Sequence, residues 1–194
     1  MTTKILVLSG SVRAGSFNRR LAALAVKQIA LADAEPTWIS LADYPLPLYD
    51  ADLEAGAGVP PPAEALVALL AAHDGVLIAA PEYNAGVTPL LKNALDWMSR
   101  VEYRGAKPRA VFHNRAFALV SASPGSHGGL RGLMALRQVL ELGLGAPVLP
   151  DQVTVADAAS AFRPNDDLAD AALAGRFRAL IERLVERAGH FGQL

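Results

Sequence analysis

The feature that most constrains the fold lies between Lys4 and Asn18. A short, nearly continuous apolar run, Lys4 to Ser9 (KILVLS), breaks directly into Gly10-Ser11-Val12-Arg13-Ala14-Gly15-Ser16-Phe17-Asn18. An apolar run without alternation reads as a parallel strand covered by helices on both faces. The segment after it carries Leu21, Ala25, Gln28, Ile29 and Ala32 at helical spacing, with Ser16 placed to cap the free N–H groups. Strand, polar turn and helix in this order begin an α/β unit.

The pattern repeats along the chain. Thr37 to Ser40 is a weak second strand, and Asp43 to Pro62 is a proline-rich connector whose Pro60 to Pro62 lead into a helix from about Ala63 to His73. Gly75 to Ala80 (GVLIAA) is a third strand. Thr88-Pro89 is an N-cap and first helical residue for a helix through about Arg100. Ala116 to Ala122 is a fourth strand, Leu130 to Leu142 a helix, and Asp167 to Ala188 a closing helix, with a fifth strand somewhere in Pro147 to Val155. Alternating strands and helices predict a doubly wound three-layer α/β sandwich, a five-stranded parallel sheet with right-handed crossovers. With 194 residues, 52% of them hydrophobic, and no internal repeat, one domain over residues 1–194 is expected.

Charge and composition exclude several functions. Eighteen basic residues against 19 acidic ones give a formal net charge of −1, so no global field draws the chain to nucleic acid or an anionic membrane. No apolar run approaches the roughly 20 residues that cross a bilayer, and Met1-Thr2-Thr3-Lys4 runs into a strand with no signal-peptide pattern, so a cytoplasmic protein is expected. The absence of cysteine excludes disulfides and thiolate catalysis and assigns any redox chemistry to a bound cofactor. His73, His113, His127 and His190 show no metal-ligand spacing, and no serine-hydrolase elbow exists.

Doubly wound sheets bind ligands at the carboxyl ends of their strands, and three loops rich in Gly, Ser, Pro and Asn leave those ends. In the first, a helix N-terminus favours an anion, Ser11, Ser16 and Asn18 can donate to phosphate oxygens, and Arg13 supplies a forked cation. The spacing Gly10-x-x-x-x-Gly15 imitates a Walker A loop, but Ser16 stands where the lysine belongs, and Val12 breaks a dinucleotide G-x-G-x-x-G. A terminal phosphate monoester fits better. In the second, Pro81-Glu82-Tyr83-Asn84-Ala85-Gly86, Tyr83 offers an aromatic surface and Asn84 an amide that donates and accepts, which suits a flat heterocycle. The third, Ser123-Pro124-Gly125-Ser126-His127-Gly128-Gly129, has glycines that permit close approach to the same ligand. Apolar residues cover more than one face of the helix after Thr88 (Leu91, Leu95, Met98; Leu90, Ala94, Trp97, Val101), as expected of core or of an oligomer interface.

The first loop closely resembles the G-S-x-R-x-x-S-x-N phosphate signature of the NADPH-dependent FMN reductases, which include bacterial chromate and quinone reductases. The stretch PEYNAGVTPLLKNALDWMSR, Pro81 to Arg100, resembles that family's PEYN and LKNAIDW signature, SASPGSHGGLRG looks like its third, and DYPLPLYDADLE is similar to its connector. The resemblance runs from about Ile5 to Val155. It implies a flavodoxin-like fold, noncovalent FMN, NAD(P)H as cosubstrate, and a homodimer or homotetramer that passes hydride from NAD(P)H through FMN to a small acceptor: a quinone, an azo or nitro compound, chromate or free flavin. By matching positions, Ser11, Arg13, Ser16, Phe17 and Asn18 bind the phosphate, Pro81, Glu82, Tyr83 and Asn84 the isoalloxazine, and Ser123 and Gly125 complete the site. No side chain is nominated as an acid or base, because the chemistry lies on the flavin N5. Gly86 and Thr88-Pro89 depart from the family pattern, and the longer Lys107 to Arg115 segment puts substrate access there in doubt. The competing readings are a flavodoxin-type electron carrier serving a protein partner, against which the near-zero net charge argues, and a nucleotide sensor without redox chemistry.

Overall fold

The structure, a computed structural model, describes residues 2–191. In chain order its first half runs β1 (Lys4–Ser9), α1 (Phe17–Leu31), β2 (Glu35–Ser40), α2 (Ala51–Ala57), α3 (Pro61–Ala71), β3 (Gly75–Ala79), β4 (Glu82–Tyr83), β5 (Gly86–Val87) and α4 (Pro89–Met98). Its second half runs α5 (Ala110–His113), β6 (Ala116–Ala122), α6 (Leu130–Gln138), β7 (Val148–Val155), α7 (Ala158–Ala161) and α8 (Ala171–Phe191). Five strands form one parallel sheet in the order β2-β1-β3-β6-β7, and β4 and β5 form a separate antiparallel hairpin.

Because successive side chains of a strand point to opposite faces, the unbroken apolar strands divide their residues between two cores. Ile5, Val7, Leu77, Ala118 and Val120 pack against α1 and α8 through Leu21, Ala25, Phe177 and Leu180. Leu6, Leu8, Val76, Ile78 and Leu119 pack on the other face against α3, α4 and α6 through Leu66, Leu91, Trp97 and Leu133. Every residue of β3 and of β6 is buried. The chain leaves β1 through α1 on one face and reaches β3 through α3 on the other, so the direction of winding reverses at β1. That reversal opens a crevice at the carboxyl ends of β1 and β3. This is the flavodoxin-like arrangement of a five-stranded parallel sheet between helical layers.

Several elements differ from the sequence expectation for physical reasons. The fifth strand is faint in the sequence because β7 is an edge strand carrying Pro150, and its register against β6 slips between Phe117 and Leu119. A proline without an N–H is tolerated at such an edge. The connector contains α2, capped by Asp50, whose side chain accepts from the N–H groups of Asp52 (2.8 Å) and Leu53 (3.2 Å). No residue of α2 is buried, so it leaves no apolar periodicity to read. The helix expected to Leu142 is α-helical only to Gln138 and continues as a wider π-helical turn over Val139–Gly143.

The broad apolar surface of α4 is covered within the chain. Trp97 is fully buried, donates from Nε1 to the Pro47 carbonyl at 2.8 Å and meets the Tyr49 ring edge-on at 5.0 Å. Asn93 fastens the same connector, accepting from the Tyr49 N–H at 2.8 Å and donating to the Pro47 carbonyl at 2.9 Å. The Lys107–Arg115 segment carries α5 into the amino end of β6, where Arg115 donates to the carbonyls of Leu70, Ala71 and Val111. It therefore lies at the end of the sheet opposite the three loops, away from any route to them. Among the described residues no helix is long and apolar enough to cross a membrane.

Phe177 is 1% exposed at the centre of the α1–α8 core. Phe177→Ala should cost about 3–5 kcal/mol, measured as a lowered urea midpoint with little change in slope.

Candidate functional site

The loop after β1 is held from beneath. The Gly10 N–H donates to the Ala79 carbonyl at 2.9 Å, and a Cβ on Gly10 would lie 3.2 Å from both Pro81 Cδ and Leu91 Cδ2, so only glycine fits easily there. The Ser11 N–H donates to Ser9 Oγ at 3.2 Å, and Ser11 Oγ in turn accepts from the Arg13 N–H at 3.4 Å. The Ser16 N–H closes the turn on the Arg13 carbonyl at 3.2 Å, with Gly15 at φ 69°. Ser16 has the extended backbone of an N-cap, but its hydroxyl caps nothing. The N–H groups of Gly15, Phe17 and Asn18 have no partner among the described residues. A buried hydroxyl stands beside them and Arg13 lies exposed over the turn. Three unpaired N–H groups and a guanidinium can only donate, and the hydroxyl can donate as well, which is the chemistry that suits a phosphate.

Two residues expected in this anion site do other work. Asn18 is 3% exposed, and its amide is clasped to the backbone of Ala122, donating to the carbonyl at 2.8 Å and accepting from the N–H at 3.0 Å. It ties the start of α1 to the carboxyl end of β6, and what it offers an anion is its backbone N–H. Phe17 turns into the α1–α8 core and stacks on Phe162 with ring centroids 6.4 Å apart, and Arg20 covers the far ring at 4.5 Å.

The second loop is a hairpin. Asn84 (φ 51°) and Ala85 (φ 62°) are its two turn residues, both left-handed, as a two-residue hairpin turn requires. Alanine is an uncommon choice for that conformation, so the turn holds some strain. Tyr83 is 53% exposed at the tip beside Asn84. Glu82 faces inward, forms an ion pair with Arg131 and accepts from the Gly132 N–H at 3.1 Å. Burial raises the Glu82 carboxyl, but the Gly132 N–H and the Arg131 guanidinium outweigh it and hold the group below the ordinary carboxylate range. A Cβ on Gly132 would lie 2.9 Å from that of Glu82, so the helix approaches the hairpin only because residue 132 is glycine. Thr88, 2% exposed, does not cap α4 with its side chain; Oγ1 donates to the Gly10 carbonyl at 2.9 Å and joins the hairpin to the first loop.

The third loop is fixed by its glycines. Gly129 (φ 88°) sits where a Cβ would fall 2.0 Å from Ser121 Oγ, and Gly128 packs on the backbone of Val155 and Ala156. Ser123 donates its N–H to the Val155 carbonyl at 3.0 Å and accepts from the Gly125 N–H at 3.2 Å. Gly125 and His127 are exposed beside it. All three loops therefore meet at the carboxyl ends of β1, β3 and β6. The contributions of Thr88, Arg131 and Gly132 have no counterpart in local sequence pattern, because their partners lie 78, 49 and 50 residues away. A glycine inside an otherwise good helix, as at Gly132, is the one signal that points to close approach.

Residues 3–160 match the family described as NADPH-dependent FMN reductase. The chain is similar to a protein named NAD(P)H-dependent FMN reductase from Pseudomonas aeruginosa, 36% identical over 169 residues, covering 86% of this chain and 85% of that one. It is 42% identical over 137 residues to a probable NADPH:quinone oxidoreductase of Oryza sativa subsp. japonica, covering 70% of this chain and 63% of the rice protein's own length. In three dimensions it resembles the flavoenzyme NAD(P)H:(acceptor) oxidoreductase of Paracoccus denitrificans with a TM-score of 0.77 and 24% identity, covering 97% of this chain and 98% of that one. A flavodoxin-like sheet with three loops gathered at its carboxyl end thus coincides with a family match over residues 3–160, and the chain belongs to the NADPH-dependent FMN reductase family.

Proposed function

We propose that this single domain is an FMN-dependent NAD(P)H oxidoreductase whose flavin phosphate sits on the 10–18 loop and whose flavin ring lies against the hairpin at Tyr83 and Asn84. The observation that carries the reading is the set of unpartnered N–H groups at Gly15, Phe17 and Asn18, beside Ser16 and Arg13, at the carboxyl end of a buried sheet. Ser11, Arg13 and Ser16 hold the phosphate with side chains. Phe17 and Asn18 fix the loop through the core and through Ala122, and lend their backbone donors. Pro81 and Glu82 carry the hairpin, while Tyr83 and Asn84 face the ring and Ser123 and Gly125 bound its far side. FMN, when bound, accepts hydride from a nicotinamide and yields it to a second small acceptor, a quinone being the class favoured by the relatives' names. The chain supplies position and fixed dipoles, and no side chain is required as acid or base. Exposed Leu130 and Met134 on α6, which packs against the hairpin, offer an apolar surface that a second copy would cover. The cytoplasm is the compartment consistent with a cysteine-free chain using NAD(P)H.

Three outcomes test this reading. FMN-loaded protein mixed anaerobically with NADPH should lose its yellow absorbance and regain it when a quinone is added. Persistent yellow colour would favour the electron-carrier reading instead. Arg13→Ala should lower FMN affinity about tenfold or more, the worth of roughly one charge-assisted hydrogen bond, with unchanged affinity for riboflavin. The Glu82 latch has a direction in pH: its carboxyl is held below the usual value, so the contribution is present above about pH 4.3, the ordinary glutamate value, and is lost as pH falls through the lowered one. The folding stability of the wild type, read as its urea midpoint, should therefore fall more steeply below that pH than that of Glu82→Gln, which starts lower at neutral pH.

A further inference from the structure

On the α1 side of the sheet, beside the phosphate loop, a cavity of about 180 Å³ opens between the carboxyl ends of β1 and β2, lined by Ser9, Ser11, Arg19, Trp38, Ser40 and Asp43. Hydroxyl donors and one cation dominate its lining. Ser9 Oγ accepts from the Ser11 N–H (3.2 Å), Ser11 Oγ from the Arg13 N–H (3.4 Å) and Ser40 Oγ from the Ala42 N–H (3.3 Å). Each hydroxyl already accepts one backbone N–H, and each O–H proton remains to be given. Arg19, half-buried on the first turn of α1, has no ion pair and no side-chain hydrogen bond among the described residues, whereas its neighbour Arg20 is paired with Asp166 at 2.6 Å. Trp38, a large apolar ring on an edge strand, lines the cavity and leaves 43% of its surface open. Asp43 adds a single carboxylate at the rim.

Hydroxyl donors with a guanidinium fit a phosphate, an open indole fits a flat base by stacking, and a carboxylate at the rim fits a sugar hydroxyl. These are the parts of an adenosine bearing a ribose phosphate. We propose that this cavity binds the adenosine end of NADPH, with Arg19 and the hydroxyls of Ser9 and Ser40 on the 2′-phosphate, Trp38 against adenine and Asp43 on the neighbouring ribose hydroxyl. The inference rests on the oxidoreductase reading above and gives it a nucleotide preference. Ser11 belongs to both the cavity and the loop, so a dinucleotide whose adenosine lies here runs alongside FMN from the phosphate end, and its nicotinamide comes toward the ring at the hairpin.

The test uses FMN-loaded protein and a ligand that undergoes no redox step. By calorimetry, adenosine 2′,5′-bisphosphate should bind at least tenfold more tightly than 5′-AMP, and Arg19→Gln should abolish the difference while leaving FMN content unchanged. In turnover, the same substitution should raise KM for NADPH at least tenfold with KM for NADH and kcat unaltered, and Trp38→Ala should raise KM for both nucleotides. Equal binding of the two adenosine phosphates to the wild type would overturn the proposal. So would loss of FMN from Arg19→Gln, which would give the cavity to the flavin phosphate. Because the calorimetry needs no hydride transfer, a protein that binds the bisphosphate but fails to oxidise NADPH would refute the oxidoreductase reading and leave the site standing.

Discussion

A parallel sheet covered on both faces leaves its polar chemistry nowhere to go but the strand ends, and here that constraint organises the molecule. β1, β3 and β6 are too apolar and too deeply enclosed to carry a reactive group along their length. Past Ser9 the chain must turn into α1, whose first N–H groups have no acceptor within the helix. A side-chain cap ordinarily satisfies one of them. Ser16 holds the cap position without performing it, so the Asn18 N–H stays available together with those of Gly15 and Phe17, at the place where the winding of the sheet opens a crevice. The proposed anion site thus follows from the fold and from a cap left unmade.

What makes those donors a site is the precision with which three loops from distant parts of the chain are joined. Asn18 clasps Ala122, Thr88 reaches Gly10, and Glu82 holds both Arg131 and the Gly132 N–H. Each bond lies at the carboxyl end of the sheet, and each is buried on at least one side. A ligand arriving there meets donors already fixed in place, which lowers the ordering cost of binding. The same geometry explains why polar residues that look like direct ligands serve as fasteners: a buried amide such as Asn18 must have its partners nearby, and the backbone of β6 supplies them.

The strand, loop and helix sequence from Lys4 to Asn18 was legible because its apolar run, turn residues and helical spacing are local signals. So were β3, β6 and α8, with ends shifted by a few residues. Elements defined by partners far along the chain left no such mark. The hairpin of Glu82 to Val87 read as a loop because two-residue strands have no periodicity, and Ala85 at φ 62° lacks the glycine that usually announces such a turn. β7 was faint because Pro150 interrupts an edge strand. The apolar stripes on α4 were visible, but that Tyr49 and Pro47 of the connector cover Trp97 could be known only in three dimensions. The site divides likewise. Arg13 and Tyr83 are exposed on their loops as their residue types suggested, Ser16 takes the N-cap position without making the cap bond expected of it, and the inward turn of Phe17, Asn18 and Glu82 follows from packing that no spacing encodes.

The central claim is that the 10–18 loop is a phosphate site and that the ring platform alone does not account for flavin binding. Titration of the flavin-free protein with FMN and, in parallel, with riboflavin tests it directly, since the two differ only in the phosphate. Two charge-assisted hydrogen bonds contribute about 3 kcal/mol, so FMN should bind about 100-fold more tightly. Equal affinities for the two flavins would contradict the assignment of Ser11, Arg13 and Ser16 to the phosphate.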